Sequence, residues 1–269
     1  MNAASKVVLK NLLPPLLTTW LRRATSRMPV VFHGNYSTWS EACEEAEGYD
    51  AREILNRVVS ATRKVVAGEA VFERDSVLFD HVEYSWPLLA SLLQVALEAG
   101  SLRVIDFGGS LGSTLRQNRR YLERLPMPRA WHVVEQRSFV EAGNREFSDE
   151  TLSFFETIEE ASKDGADVVL FSSSLCYIAD PSAALEAAAT CGARYLLIDR
   201  LPIIPGSRDR ISLQKVREPI YHASYPIRMF AEELLFRDLL ARWRLIEKWD
   251  CDLQPDSHSR CYGFFMELL

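Results

Sequence analysis

The chain has few cysteines and no Cys-x-x-Cys pair. Its five, Cys43, Cys176, Cys191, Cys251 and Cys261, are scattered and odd in number. Such spacing argues against a disulfide framework or a zinc cluster and fits a reducing cytoplasm. His81, His132 and His258 do not cluster with acids or cysteines, so no metal site is expected. A long apolar run is missing too. Val7 to Leu21 is broken by Lys10, Asn11 and Pro14-Pro15 and falls short of the roughly 20 residues that a membrane span needs. No small-residue cleavage site follows it, so it makes a poor signal peptide. Low-complexity linkers and internal repeats are also absent.

Positive charge is scarce after the first 29 residues. All 37 acidic residues lie beyond that point, with all but five of the 31 basic ones, and the net charge is −6. An enzyme of nucleic acids usually shows a basic face, so a small or sugar-like substrate fits better than DNA or RNA. Residues 1–29 reverse the balance, with Lys6, Lys10, Arg22, Arg23, Arg27 and no acid. Basic residues beside Leu12, Leu13, Leu16, Leu17 and Trp20 suit peripheral contact of residues 1–27 with the inner face of an anionic membrane. A leader helix docked on its own domain or on a partner subunit is the other reading.

At 269 residues the chain can bury one large core, or a core with a smaller cap. Residues 1–100 read as a mainly helical N-terminal extension. Thr38-Trp39-Ser40-Glu41 has capping-box spacing and opens a helix that stops near Gly48. Asp50 to Glu53 repeats the device ahead of an apolar stripe at Ile54, Leu55, Val58, Val59, Thr62, Val65 and Val66. Ser85-Trp86-Pro87 starts another helix, with Gly100 as its stop. Residues 101–269 alternate strands with helices, the mark of a doubly wound α/β sheet. Strands are expected at 102–107, 131–135, 152–155, 167–172, 195–199, 243–250 and 261–268. Helices are expected at about 113–124, 137–146, 158–163, 181–190 and 230–241.

The most informative stretch is Val104-Ile105-Asp106-Phe107-Gly108-Gly109-Ser110-Leu111-Gly112. A short apolar strand ends on a carboxylate, and three glycines lead into a helix. Glycines let the backbone approach a ligand and leave amides free, and the helix start favours an anion. A pyrophosphate would be repelled by Asp106. S-adenosyl-L-methionine (SAM) suits the arrangement better: its ammonium meets Asp106 and its carboxylate meets the helix. Gly108, Gly109, Ser110 and Gly112 form the cradle. A second strand ends in an acid at Glu135, placed to take both ribose hydroxyls, with Gln136 beside it. Phe155, ending the third strand, is placed to flank adenine. The fourth strand runs into Ser172, Ser173 and Ser174, where the reacting methyl should lie. No Asn-Pro-Pro-Tyr motif follows, which weakens a nucleic-acid or amide N-methyltransferase reading.

With these segments in view, the chain resembles a family of bacterial SAM-dependent methyltransferases of the Rossmann-like class, associated with surface-polysaccharide gene clusters. The matching segments are Phe32 to Trp39 with Gly48-Tyr49, Glu73 to Phe79, Tyr84 to Pro87, Asp106 to Ser113, Val134 to Gln136, Ile198 to Arg200 and Ala223 to Pro226. The resemblance covers nearly the whole chain. It implies an activity class and a seven-stranded sheet whose last two strands pair antiparallel, and no particular substrate. Ser110 departs from the broader pattern, where many members have glycine; it should be tolerated if its φ is negative.

On the acceptor side, Tyr177 and His222 are the candidate catalytic residues. Tyr36, Trp39, Tyr84, Asp199, Arg200 and Tyr225 are candidates for binding a small-molecule or sugar acceptor, methylated at oxygen. A homo-oligomer is compatible with this reading. A short-chain dehydrogenase using NAD would want a Tyr-x-x-x-Lys pair, whereas Tyr177 is followed by Pro181. A non-catalytic SAM-binding partner subunit is the further alternative.

Overall fold

The computed structural model describes residues 30–46, 51–74, 76–217, 223–251 and 253–269. The chain opens with β1 (Val30–Tyr36), α1 (Trp39–Glu45) and α2 (Ala51–Val66). Thr38 and Glu41 close the expected capping box: the Thr38 hydroxyl accepts from the Glu41 amide at 3.2 Å, and the Glu41 carboxylate accepts from the Thr38 amide at 3.2 Å. A small hairpin, β2 (Phe72–Arg74) with β3 (Val77–Phe79), leads to α3 (Trp86–Ala99). Pro87 occupies the first turn of α3, and Gly100 ends it with φ 68°.

Then come β4 (Leu102–Phe107), α4 (Ser113–Leu122), β5 (Arg129–Val134), α5 (Arg137–Glu146), β6 (Leu152–Phe155), α6 (Ile158–Ala161) and β7 (Val168–Ser172). A 3-10 turn at Leu175–Tyr177 precedes α7 (Pro181–Thr190), whose cap Asp180 accepts from the Ala183 amide at 3.0 Å. The rest is β8 (Tyr195–Ile204), β9 (Arg210–Val216), β10 (Ala223–Ala231), α8 (Glu232–Leu240), β11 (Trp243–Cys251) and β12 (Arg260–Leu268). No described helix is long and apolar enough to cross a membrane.

The parallel centre has the order β6-β5-β4-β7-β8, and β12 adds antiparallel to β8 with β11 outside it. These seven strands lie within a few residues of the expected positions and form a Rossmann-like, doubly wound sheet. Alternation along each strand fills two cores, one on each face. Val104, Val168 and Leu197 pack against α2, α3 and α5, while Ile105, Val169 and Ile198 pack against α6, α7 and α8.

Three more strands extend the sheet to ten, in the order β1-β9-β10-β8. The sequence reading places no strands at β1, β9 and β10. Gly34 and Asn35 sit inside β1, and Pro226 and Arg228 inside β10, so neither shows clean alternation. Strand β10 joins β8 only through Phe230↔Ile203 and Ala231↔Ile204. That contact exists because β8 bends. Its Arg200 has φ 56°, and against β12 the register slips so that Tyr262 faces Leu201 but Phe264 faces Ile198. Asp199 and Arg200 together therefore oppose Gly263, which makes a β-bulge. Gly263 is required here, because a Cβ would overlap the indole of Trp249 lying over it.

Candidate functional site

All the groups singled out at strand ends gather at the carboxyl edge of the parallel strands, where wound sheets hold ligands. Asp106 lies beneath the glycine turn and has no exposed surface. Its Oδ2 accepts from the Trp131 indole N–H at 3.0 Å, and its Oδ1 is buried with no partner. Burial pushes its pKa up to about 7; the indole and the Arg200 charge lower it, and the Glu135 charge raises it.

Above it the turn is closed by its own amides, with Gly108 donating to Val134 O at 2.8 Å and Gly112 to Gly109 O at 3.0 Å. Those two amides are therefore not free for a ligand, contrary to the sequence expectation. The uncapped donors are those opening α4, whose cap Gly112 makes no side-chain bond. The glycines are needed for space: a Cβ on Gly108 would come 2.5 Å from Ser174 Cβ, and one on Gly109 would come 2.6 Å from Asp106 Cγ. The condition set for Ser110, a negative φ, is not met, since its φ is +56°. A non-glycine residue there is strained by about 1 kcal/mol or more.

Glu135 reaches under the same turn. One oxygen accepts from the Ser110 amide at 3.2 Å and the other from the Gln136 amide at 2.9 Å. Burial raises its pKa, and the two amides oppose that. A carboxylate offers about four lone-pair positions, so room is left for two hydroxyl donors.

A cleft of about 590 Å³ opens over these groups. Gly108, Ser110, Glu135, Gln136, Ser173, Tyr177 and Tyr225, all candidates from the sequence, line it. So do Glu156, Ser174 and Pro226, together with Ile54 and Val58 of α2, Phe139 and Ile178, and these last four the sequence reading did not assign to the site. The apolar stripe of α2 was visible in the sequence; nothing there showed that its Ile54 and Val58 edge walls the cleft. The charged residues lining the cleft, among those described, are Glu135 and Glu156; no lysine or arginine lines it.

At the far end Tyr177 and Tyr225 meet edge to face, with ring centroids 5.5 Å apart. Gln214 bridges them. The Tyr177 hydroxyl donates to its Oε1 at 2.9 Å, and its Nε2 donates to the Tyr225 hydroxyl at 3.0 Å. Gln214 stands directly opposite Tyr225 in the β9–β10 pair, which puts both side chains on one face. No sequence signal marked Gln214, because β9 itself went unread.

Several candidates stand elsewhere. Tyr36 and Trp39 pack with Ala42, Ile211 and Leu213 outside the cleft, where Tyr36 donates to Glu45 at 2.7 Å and Arg228 covers the Trp39 ring. Tyr84 stacks on Trp86 and Tyr121. Phe155 packs against His132, while the next residue, Glu156, lines the cleft wall. Ser172 and Arg200 bond to each other behind the wall, and Asp199 is fully buried. His222 and residues 1–27 lie outside the described residues.

No protein-family model matches the chain, and no curated protein matches it. Solved structures do resemble it. One is the N-terminal domain of EvdMO1 with SAH bound, at TM-score 0.47 and 14% identity over 82% of this chain and 98% of that one. Another is the glycopeptide N-methyltransferase MtfA complexed with S-adenosyl-L-homocysteine, at TM-score 0.44 and 13% identity over 67% and 90%. A third is magnesium protoporphyrin IX methyltransferase from Synechocystis PCC 6803 with bound SAH, at TM-score 0.42 and 13% identity over 67% and 82%. The likeness is one of overall shape.

The residues of the cleft themselves fit a cationic amino-acid nucleoside. The unpartnered Oδ1 of Asp106 is an acceptor awaiting a donor. The α4 amides suit a carboxylate, and Glu135 suits a pair of ribose hydroxyls. A pyrophosphate would face Glu135 and Glu156, with Asp106 beneath them, and no described lysine or arginine lines the wall to offset them.

Proposed function

We propose that the protein is a SAM-dependent methyltransferase acting on a hydroxyl of a small-molecule or saccharide acceptor. The observation that carries this reading is the cleft's charge pattern: carboxylates at both strand ends, one with a buried orphan oxygen, and no described cation in the wall. When bound, the cofactor supplies a methyl group on an electrophilic sulfonium. Asp106 receives the ammonium directly or through one water, Glu135 takes the ribose hydroxyls, and Gln136 with Glu156 closes the adenine end. Ile54, Val58 and Phe139 exclude water on one side. A surface-polysaccharide acceptor is the finer form of the proposal and rests on the family resemblance.

Methyl transfer is an in-line displacement, so the main task of the chain is alignment. Tyr177 and Tyr225 supply a neutral wall of two hydroxyls held in fixed orientation by Gln214, suited to a sugar or other polyol. Tyr177 orients in this scheme, because its hydroxyl proton is directed at Gln214 Oε1, 2.9 Å away. His222, three residues before Tyr225, is the proposed base.

The test is a screen of sugars and nucleotide-sugars with SAM, watching for S-adenosylhomocysteine (SAH). With any acceptor found, Gln214→Leu should lower kcat/KM by about tenfold, the worth of one or two ordered hydrogen bonds, while leaving SAH affinity unchanged. Equal kcat/KM in the variant would remove Gln214 from the acceptor site.

A further inference from the structure

Arg200 sits behind the cleft, not in its wall, with its side chain 15% exposed. Its Nε donates to Ser173 Oγ at 2.8 Å and its Nη2 to Ser172 Oγ at 2.7 Å. Its Nη1 lies 3.4 Å from Asp199 Oδ2. Asp199 is anchored in turn, accepting at Oδ1 from Trp249 Nε1 at 3.1 Å, Ser85 Oγ at 3.3 Å and Cys251 Sγ at 3.7 Å. The thiols of Cys176, Cys251 and Cys261 also lie near the guanidinium, and burial holds them protonated. The carboxylate in contact with the Arg200 charge is that of Asp199.

Two strained residues meet at this clamp. Ser173 has φ 57° and Arg200 φ 56°. Each left-handed non-glycine residue costs on the order of 1–3 kcal/mol and persists only where its surroundings enforce it. The guanidinium bonds to both serines, and the Ser173 amide donates to Asp199 O at 2.9 Å. The next residue, Ser174, packs so closely on Gly108 that no Cβ fits between them. The serine turn thus abuts the glycine turn that covers Asp106. The charged groups facing Asp106 are Glu135, from the end of β5, and Arg200, from β8; the Trp131 indole of β5 is its neutral donor.

We propose that Arg200 is a positioning residue for the cofactor site: it fixes the turn that presents Ser173 and packs Ser174 on the glycine turn over Asp106, and it does not touch the acceptor. The inference rests on reading the cleft as a SAM site. It replaces the acceptor-binding role that the sequence suggested for Asp199 and Arg200. A lysine could restore the charge but not the two-serine fork, because its ammonium is a point donor.

The experiment is calorimetric titration of SAH into wild type, Arg200→Gln, Arg200→Lys and the Ser172→Ala/Ser173→Ala double variant, from pH 6 to pH 8.5. Arg200→Gln should weaken SAH about tenfold, as expected for a lost charge-assisted pair of bonds, and move the pH midpoint of binding upward. Arg200→Lys should keep the midpoint while binding less tightly. The serine variant should lose affinity with its midpoint unmoved, and combining it with Arg200→Gln should give less than the sum of the two losses. The inference is overturned if Arg200→Gln binds SAH with wild-type affinity and midpoint, or loses only acceptor turnover. Should that variant not fold, unchanged affinity in the serine variant overturns it. Wild type failing to bind SAH at all would instead sink the cofactor reading.

Discussion

The affinity of the protein for SAH should climb about tenfold between pH 6 and pH 8, because only the ionised form of Asp106 pairs with an ammonium. The side chain is fully buried, and burial raises its pKa to about 7. Below that value most molecules hold a neutral carboxyl that must release its proton before pairing. Asp106→Asn should flatten the pH profile and weaken binding by roughly ten- to a hundred-fold, the worth of a hydrogen bond to a charged group. Folding stability must run the other way. The folded value lies above the unfolded value of about 3.9, so the folded state binds more protons between the two. Stability of the cofactor-free protein therefore falls as pH rises from about 4 to about 7, by at most about 4 kcal/mol, and Asp106→Asn removes that fall. Urea midpoints at pH 5 and pH 7.5 measure it. A pH-independent SAH affinity in wild type would mean that Asp106 does not meet the ligand.

A single methyl group on the glycine turn should be nearly as damaging. Gly109 is not in the left-handed region, so Gly109→Ala adds no backbone strain. Its Cβ would come 2.6 Å from Asp106 Cγ and Oδ2, and something must move. The buried carboxylate is pinned by Trp131 on one side, so the turn itself gives way. SAH affinity should drop by more than about tenfold, with a stability loss of about 1–3 kcal/mol from overpacking. Gly192→Ala is the control. Gly192 has φ 90° but nothing near its Cβ position, so that variant should lose about 1 kcal/mol of stability and no SAH affinity. Equal SAH binding by wild type and Gly109→Ala would show that the turn does not cradle the cofactor.

The central sheet was legible because its signals are local. Val104, Ile105 and Val168 to Phe171 are buried on both faces, and so read as short apolar runs, the first closed by Asp106 and the glycines and the second by serines. Asp180-Pro181 and Thr38 with Glu41 announce helix starts through their own caps. The three added strands were not legible. Strand β1 pairs with β9, about 180 residues further along the chain, and that pairing leaves no periodic trace in either segment. The site divided in the same way. Asp106, Gly108 and Glu135 stand at strand ends beside turn residues and can be read singly. Ile54 lines the cleft, and Gln214 braces its two tyrosines, only because α2 and β9 are folded onto it. The left-handed φ of Ser110 is not legible in the sequence, because a serine gives no warning of a left-handed turn, whereas a glycine does.

The most direct measurement is a paired titration of SAH and NAD into wild type and Glu135→Ala at pH 8. Two carboxylates in the wall and a third beneath it predict that SAH binds wild type, that NAD does not, and that Glu135→Ala loses SAH. Binding of NAD in place of SAH, or undiminished SAH affinity in Glu135→Ala, would contradict the account.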